Sequence, residues 1–414
     1  MHAIKDSVHD HIEVDALAEA LLDTPAVQRL RHVKQLSTVR LVYPSASHTR
    51  FEHSLGVYHL ASRALDGLPV SGDEARHVAA AALVHDVGHG PYGHQTEGVL
   101  RRHAGRHHDE VGDLLSGTEV GEVLASHGVD PERVAALVRG EGRLGALVSS
   151  AIDVDRTDYL VRDAHHTGVP YGTVDHERLV RAFRLVDDEL VLGPGNVRTA
   201  ESVLVARALM NATVYRHHVS RIAGGMLELA AERLLADEGE GDDGSGGGGA
   251  SGRRSSAPAD PPSVEAFARM ADHDLLVALC ERVPALGRRL ERRDLYKRAV
   301  WAGVGDVPEG FVGLPYGDER ALARGVAEHA GVPPRAVVVD APAPPSFRES
   351  DARVVVDGRV RRLGDVSELV DALRRAERGG WRFGVYAPAE HRAAVAEAAV
   401  AALGLPDRAT YESG

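Results

Sequence analysis

The sequence predicts an α+β fold, a mainly α-helical core with a small α/β region toward the carboxy-terminal end. Three observations lead there. Apolar residues recur at three- and four-residue intervals through most of residues 1–235, the spacing of one helix face. A glycine-rich, acidic stretch at 236–263 interrupts that pattern. Beyond it, a helical segment at 264–305 gives way over 306–414 to short β-branched runs that alternate with helical ones.

In chain order, 15–22, 25–35, 51–65, 73–85 and 151–166 each carry an apolar stripe at helical spacing, and long strand patterns are absent before residue 236. The 236–263 stretch holds four consecutive glycines and the run Ala257-Pro-Ala-Asp-Pro-Pro. It has too little apolar surface to offset the entropy of ordering and reads as a flexible linker. Helical periodicity resumes at Val264 and continues to about Ala302, as a continuation of the core. Ala336-Val-Val-Val-Asp, Ala352-Arg-Val-Val-Val-Asp and Trp381-Arg-Phe-Gly-Val-Tyr then read as strands, with helices near 319–329, 366–377 and 390–403, in the manner of a split βαβ unit.

Composition narrows the function. Acidic residues outnumber basic ones 61 to 48, the formal net charge is −13, and nearly all the cations are arginine. A nonspecific nucleic-acid binder needs a basic face to displace phosphate counterions, so no extended nucleic-acid surface is expected. Arg29, Arg31 and Arg40 are the local patch where one would have to lie. No apolar run of bilayer length occurs and the amino terminus lacks the regions of a signal peptide, so a cytoplasmic protein without membrane contact is expected. Cys280, the single cysteine, sits among apolar residues and reads as a core thiol without chemistry.

The chemistry gathers in three segments. Val78-Ala-Ala-Ala-Ala-Leu-Val is apolar on every face until His85 and Asp86, so a buried helix should end in a polar pair. A neutral imidazole beside a carboxylate suits a divalent transition metal, which accepts both ligand types and offsets their desolvation. Adjacent helical residues diverge by about 100°, so further ligands must come from other helices. Thr49-Arg-Phe-Glu-His presents His53 one turn inside a helix, and 155, 159, 162, 163 and 166 form a polar stripe of Asp, Tyr, Arg, Asp and His. After Asp86, Val87-Gly-His-Gly-Pro-Tyr-Gly-His breaks the helix and leaves His89 and His94 on a tight loop, with Glu97 three residues on and His108 opening an expected helix. Imidazoles beside a metal can bind phosphate oxygens or protonate a leaving oxygen, and a nearby carboxylate raises the pKa for the second task.

The order His, His-Asp, Asp is the signature of the HD-domain superfamily. Ser47-His-Thr-Arg-Phe-Glu-His-Ser-Leu-Gly-Val, His85-Asp-Val-Gly-His-Gly-Pro-Tyr-Gly-His and Ile152-Asp-Val-Asp-Arg-Thr-Asp-Tyr-Leu-Val-Arg-Asp resemble its dNTP triphosphohydrolase branch, which has vertebrate and prokaryotic members. The resemblance begins at Asp6-Ser-Val-His-Asp-His-Ile-Glu, reaches about Arg221 and resumes at Arg293-Asp-Leu-Tyr-Lys. It implies a metal held by His53, His85, Asp86 and Asp155, and attack of a metal-activated water on the α-phosphorus of a dNTP, releasing deoxynucleoside and triphosphate. It further implies His94 as general acid oriented by Glu97, His89 and His108 at phosphate, and Arg50, Arg156, Tyr159 and Arg207 on the phosphate side. Gln35, Leu36, Asp163 and Tyr215 fall where the family holds deoxyribose. Iron, manganese, zinc, cobalt or nickel would suit these ligands, with magnesium accompanying the substrate phosphates, and relatives assemble as homo-oligomers. One departure is Asn211, where some members keep a histidine.

Other readings remain beside this one. Another nucleotide or alarmone phosphatase or phosphodiesterase would share the metal site, and a nucleotide-sensing module would bind with little turnover. Asp158 and Arg162, four residues apart, read as a structural ion pair, and His9, His48 and His59 as packing or surface residues.

Overall fold

A computed structural model describes residues 2–236, 260–343 and 348–406, so residues 237–259 of the expected linker lie outside the described residues. The chain is α+β and mainly helical. Its strands are β1 (His2–Asp6), β2 (Asp10–Val14), β3 (Phe183–Val186), β4 (Glu189–Leu192), β5 (Lys297–Gly303), β6 (Val338–Asp340), β7 (Arg353–Val356), β8 (Arg359–Arg362) and β9 (Arg382–Ala387). They form sheets ordered β1-β2, β3-β4-β7-β8 and β5-β9-β6, antiparallel throughout except between β4 and β7. Two compact units result: residues 2–97, 106–217 and 348–377 in the first, and 98–105, 218–236, 260–343 and 378–406 in the second.

The first unit is a helical core. Capping boxes open Arg50–Leu65, where Thr49 and Glu52 satisfy each other's backbone, and Gly72–Val84, where Ser71 and Glu74 do the same. Val78, Ala80, Ala81, Ala82, Leu83 and Val84 are all buried, which is why that helix carries no polar stripe. Val154–Thr167 starts on Asp153 and ends at Gly168 in the left-handed region, with φ 72°. Two hairpins, β1-β2 and β3-β4, have strands of five and four residues, too short for a strand pattern to stand out in the sequence. The β3-β4 turn is made by Asp187 and Asp188 at φ 50° and 63°, the conformation of a tight hairpin.

The second unit packs Tyr316–Ala330 and Arg392–Leu403 against β5-β9-β6 around Val300, Val326, Phe383, Val385 and Val395. Residues 297–303, expected to continue a helical run, form β5 instead. Ala299, Val300 and Ala302 are buried in the sheet, and a bulge between Arg298 and Val300 places the first two of them in succession. Because β5 and β6 both run antiparallel to β9 between them, they are parallel to each other and joined by Tyr316–Ala330, which is the split βαβ arrangement; residues 353–356 form β7 of the other sheet. Cys280 is half-buried rather than fully in the core.

Candidate active site

Each candidate ligand comes from a helix end or turn that its neighbours hold in place, all within the first unit. The Thr49 capping box sets His53 one turn into its helix, where it is buried. His85 caps the end of the apolar Gly72–Val84 helix, and the chain turns through Asp86 toward His89. Arg29 holds that turn, its Nη2 donating to the carbonyls of Val87 (3.0 Å) and His89 (2.6 Å). Arg31, which is exposed, lies over the Phe51 ring at 3.6 Å. Gly88 lets His108 come close, since a Cβ there would overlap the His108 carbonyl oxygen. Asp153 accepts from the Arg156 N–H at 2.7 Å and so starts the helix whose first turn carries Asp155.

These segments bring His53, His85, Asp86 and Asp155 to one point. His53 Nε2 lies 2.9 Å from Asp155 Oδ1, and His85 Nε2 lies 3.5 Å from Asp86 Oδ1 and 3.8 Å from Asp155 Oδ1. One ligand atom each from His53, His85 and Asp86 falls within 4.8 Å of the others. The donor chemistry fits a divalent cation. His85 donates its Nδ1–H to the Ala82 carbonyl at 2.8 Å, which leaves Nε2 as a bare acceptor, buried and without a hydrogen-bond partner, facing two carboxylates. A buried lone pair facing two carboxylates, Asp86 buried and Asp155 partly exposed, is favourable only around a positive charge. Burial opposes charge on the His53 ring, but hydrogen bonds to Asp155 and Asp158 outweigh it and raise its pKa to about 10. Burial likewise pushes the Asp86 carboxyl up, yet Arg50, His85 and His89 hold it well below the ordinary range.

The three loop imidazoles form a second group beside the first. His89, His94 and His108 place nitrogens within 4.8 Å of one another, with His89 stacked on His108 at a ring separation of 4.2 Å. Glu97 joins the other two: its Oε2 lies 2.9 Å from His94 Nδ1 and its Oε1 2.5 Å from His108 Nδ1. Burial opposes its ionisation, but those two hydrogen bonds keep the Glu97 carboxyl ionised far below its usual pKa. His89 Nε2 reaches Asp86 Oδ1 at 3.3 Å and Arg50 Nη1 donates to Asp86 Oδ2 at 2.9 Å, so Asp86 links the groups. His108 sits in a turn ahead of a helix at Gly112–Leu115, not at the start of one as expected.

Sugar- and phosphate-side candidates line the adjacent helices. Tyr215 ends a π-helical turn, Asn211–Tyr215, and its hydroxyl donates to Asp163 Oδ2 at 2.8 Å. Its ring meets that of Tyr159 at 6.2 Å. Burial raises the Tyr159 phenol pKa while Arg156 and Arg207 pull it down, which puts both guanidinium groups near it. Gln35 is joined to this side through His48: its N–H donates to the His48 carbonyl at 3.1 Å, and His48 Nε2 lies 2.8 Å from Asp163 Oδ1. The Gln35 side-chain oxygen is buried without a partner, and Leu36 beside it is buried. Asn211, the departure from the family, donates to Glu377 Oε1 at 3.0 Å.

Sequence reasoning left out His9, His48, Asp158 and Arg162 from the site. Asp158 does pair with Arg162 as the spacing indicated, but it also meets His53 and His9. Lone histidines in the amino-terminal and pre-helix segments carry no spacing that would have revealed this.

Against this geometry, residues 50–163 match the HD domain family, and residues 174–243 with 253–413 match the HD associated region. The chain belongs to the HD-domain family. An uncharacterized protein of Methanocaldococcus jannaschii is 28% identical over 94% of this chain and 80% of its own length. The human deoxynucleoside triphosphate triphosphohydrolase SAMHD1 is 30% identical over 79% of this chain, which spans 59% of the human protein. A hypothetical protein from Aquifex aeolicus with a crystal structure covers 96% of the chain at a TM-score of 0.72 and 26% identity. No helix among the described residues of this HD protein is long and apolar enough to cross a membrane.

Proposed function

We propose that this HD protein is a cation-dependent phosphohydrolase that cleaves dNTPs to deoxynucleoside and triphosphate by attack of water on the α-phosphorus. The observation that carries the reading is the buried, unpartnered Nε2 of His85, aimed between Asp86 and Asp155 beside His53. The similarity to SAMHD1 supports dNTPs as the substrate class. A divalent cation held by His53, His85, Asp86 and Asp155 would supply an activated water and polarise a phosphoryl oxygen.

The chain's own groups do the rest. His94, exposed at the start of its helix, anchors Nδ1–H on Glu97, which leaves Nε2 to deliver a proton to the leaving 5′-oxygen. Desolvation and the nearby Arg50 and His108 charges leave the His94 pKa below its ordinary value, and the ionised Glu97 works against them in favour of the doubly protonated ring that this step needs. Arg50, fixed by Asp86, supplies positive charge beside His89 and His108 for phosphate oxygens, and Arg156 and Arg207 do so from the next helices. Asp163 and Tyr215 form a hydrogen-bonding edge for the sugar hydroxyl, with Leu36 and Gln35 packed beside the 48–50 segment. Magnesium with the substrate phosphates, assembly as a homo-oligomer and a cytoplasmic setting belong to the same reading.

The test incubates purified protein with each dNTP and each NTP in manganese or magnesium and resolves products by ion exchange. Deoxynucleoside with intact triphosphate, from dNTPs in preference to NTPs, is expected. Stepwise release of orthophosphate would move the assignment to another nucleotide phosphatase, and tight binding without products to a sensing module.

A further inference from the structure

We propose that Asp158 is a positioning residue for the cation site, fixing His53 through its ring N–H, and that His9 of the amino-terminal hairpin and Arg162 hold Asp158 for that task. The proposal rests on the reading of His53, His85, Asp86 and Asp155 as cation ligands.

Asp158 is fully buried and its two oxygens make four contacts with three residues. Oδ2 lies 2.8 Å from His53 Nδ1 and accepts from Arg162 Nε at 2.8 Å. Oδ1 lies 2.7 Å from His9 Nε2 and accepts from Arg162 Nη2 at 3.0 Å. An ionised carboxylate only accepts, so His53 must carry a proton on Nδ1 and present Nε2 to the site. Nε2 faces Asp155 Oδ1 at 2.9 Å, on the side where His85 offers its bare nitrogen. The spacing of Asp158 and Arg162 explains a helix ion pair, but it does not require the carboxylate to lie under another helix's histidine.

The surroundings are shaped for that contact. Gly56, one turn after His53, leaves room for Asp158 and Arg162, since a Cβ there would overlap Asp158 Oδ1 and sit 2.5 Å from Arg162 Nη2. Arg162 is fixed from its far end by Asp6, which accepts from Nη1 at 2.8 Å. The His9 ring lies between His59 and His176, with ring separations of 5.0 and 5.4 Å. Asp6 ends β1 and His9 stands in the turn before β2, so the β1-β2 hairpin enters the site's support through two side chains. Shifting that hairpin would therefore disturb His53 without touching a ligand.

The test uses the full chain stripped of metal with chelator and titrated with Mn²⁺, reading free ion by electron paramagnetic resonance, with circular dichroism and melting of the stripped protein in parallel. Wild type, the double variant His85→Ala/Asp86→Ala, Asp158→Asn and His9→Gln are compared. Wild type should bind Mn²⁺ and the double variant should not. With the fold retained, Asp158→Asn should raise the Mn²⁺ Kd by ~10- to 100-fold, the usual effect of removing a carboxylate behind a ligating histidine, and His9→Gln by about tenfold. A merely structural Asp158 would lower the melting temperature and leave the Kd alone, which would overturn the proposal while leaving the cation ligands standing. Wild type failing to bind Mn²⁺ would instead overturn the cation reading and the proposal with it. If Asp158→Asn does not fold, His9→Gln decides: a weaker Kd supports the proposal and an unchanged one refutes it.

Discussion

Gly56→Ala should destabilise the protein even though alanine is the better helix former. In an exposed helix interior the exchange stabilises by ~1 kcal/mol, because glycine loses more backbone freedom on folding. At Gly56 the added Cβ would overlap Asp158 Oδ1 and lie 2.5 Å from Arg162 Nη2, so the buried carboxylate–guanidinium pair must separate or one of the two helices must shift. Disrupting a buried ion pair costs roughly 3–5 kcal/mol, so the net loss is about 2–4 kcal/mol after the helix gain. For a unit of this size each kcal/mol moves the melting temperature by ~2–4 °C, giving a fall of roughly 5–15 °C. Gly72→Ala is the matched control. Gly72 opens its helix with nothing within 4 Å of an added Cβ, and alanine there should stabilise by ~0.4–1 kcal/mol. Differential scanning calorimetry of both variants gives the comparison. If Gly56→Ala melts at or above wild type, the close packing of Asp158 and Arg162 against that helix is wrong.

The other expectations concern ligands, proton transfer and pH. The double variant His85→Ala/Asp86→Ala should lose bound metal by elemental analysis and all turnover, with helix content by circular dichroism largely kept; full activity would remove these residues from the site. His94→Ala should keep bound metal but lower kcat by ~10²- to 10⁴-fold, the range for a lost general acid, and loss of metal would show a ligand role instead. Glu319 in the second unit is raised to about 8 by burial, with Asp340 and Glu228 adding to the effect against the Ala341 N–H that it accepts. Its folded pKa exceeds the unfolded one, so the folded state binds more protons and stability falls as pH rises from about 4.5 through about 8. Glu319→Gln should therefore match wild type below pH 4.5 and be more stable above pH 8 in denaturant melts, and no difference at high pH would refute the burial of that carboxyl.

The helical core and the metal-ligand candidates were legible because each rests on a local pattern. His85-Asp86 stands out where an all-apolar helix turns polar, and the apolar spacing that starts at 51 and 73 falls within a residue of the two helix starts in the structure. The β5 strand was not legible, because Lys297–Gly303 is a short segment whose character is set by pairing with β9, about eighty to ninety residues away in sequence. The supports of the site were hidden for the same reason. His9 and Asp158 meet across 149 positions, and His48 and Asp163 across 115, so neither histidine differs locally from a surface residue. Asp158 was half legible: its i,i+4 partner Arg162 could be read from spacing, and its hydrogen bond to His53 could not.

The most direct test of the central assignment is the fate of the attacking oxygen. The metal-loaded protein would be given a dNTP in water enriched in heavy oxygen, and the products examined by mass spectrometry. Attack of water at the α-phosphorus predicts intact triphosphate carrying one heavy oxygen and unlabelled deoxynucleoside. Labelled orthophosphate or pyrophosphate without triphosphate would contradict it, as would label in the deoxynucleoside.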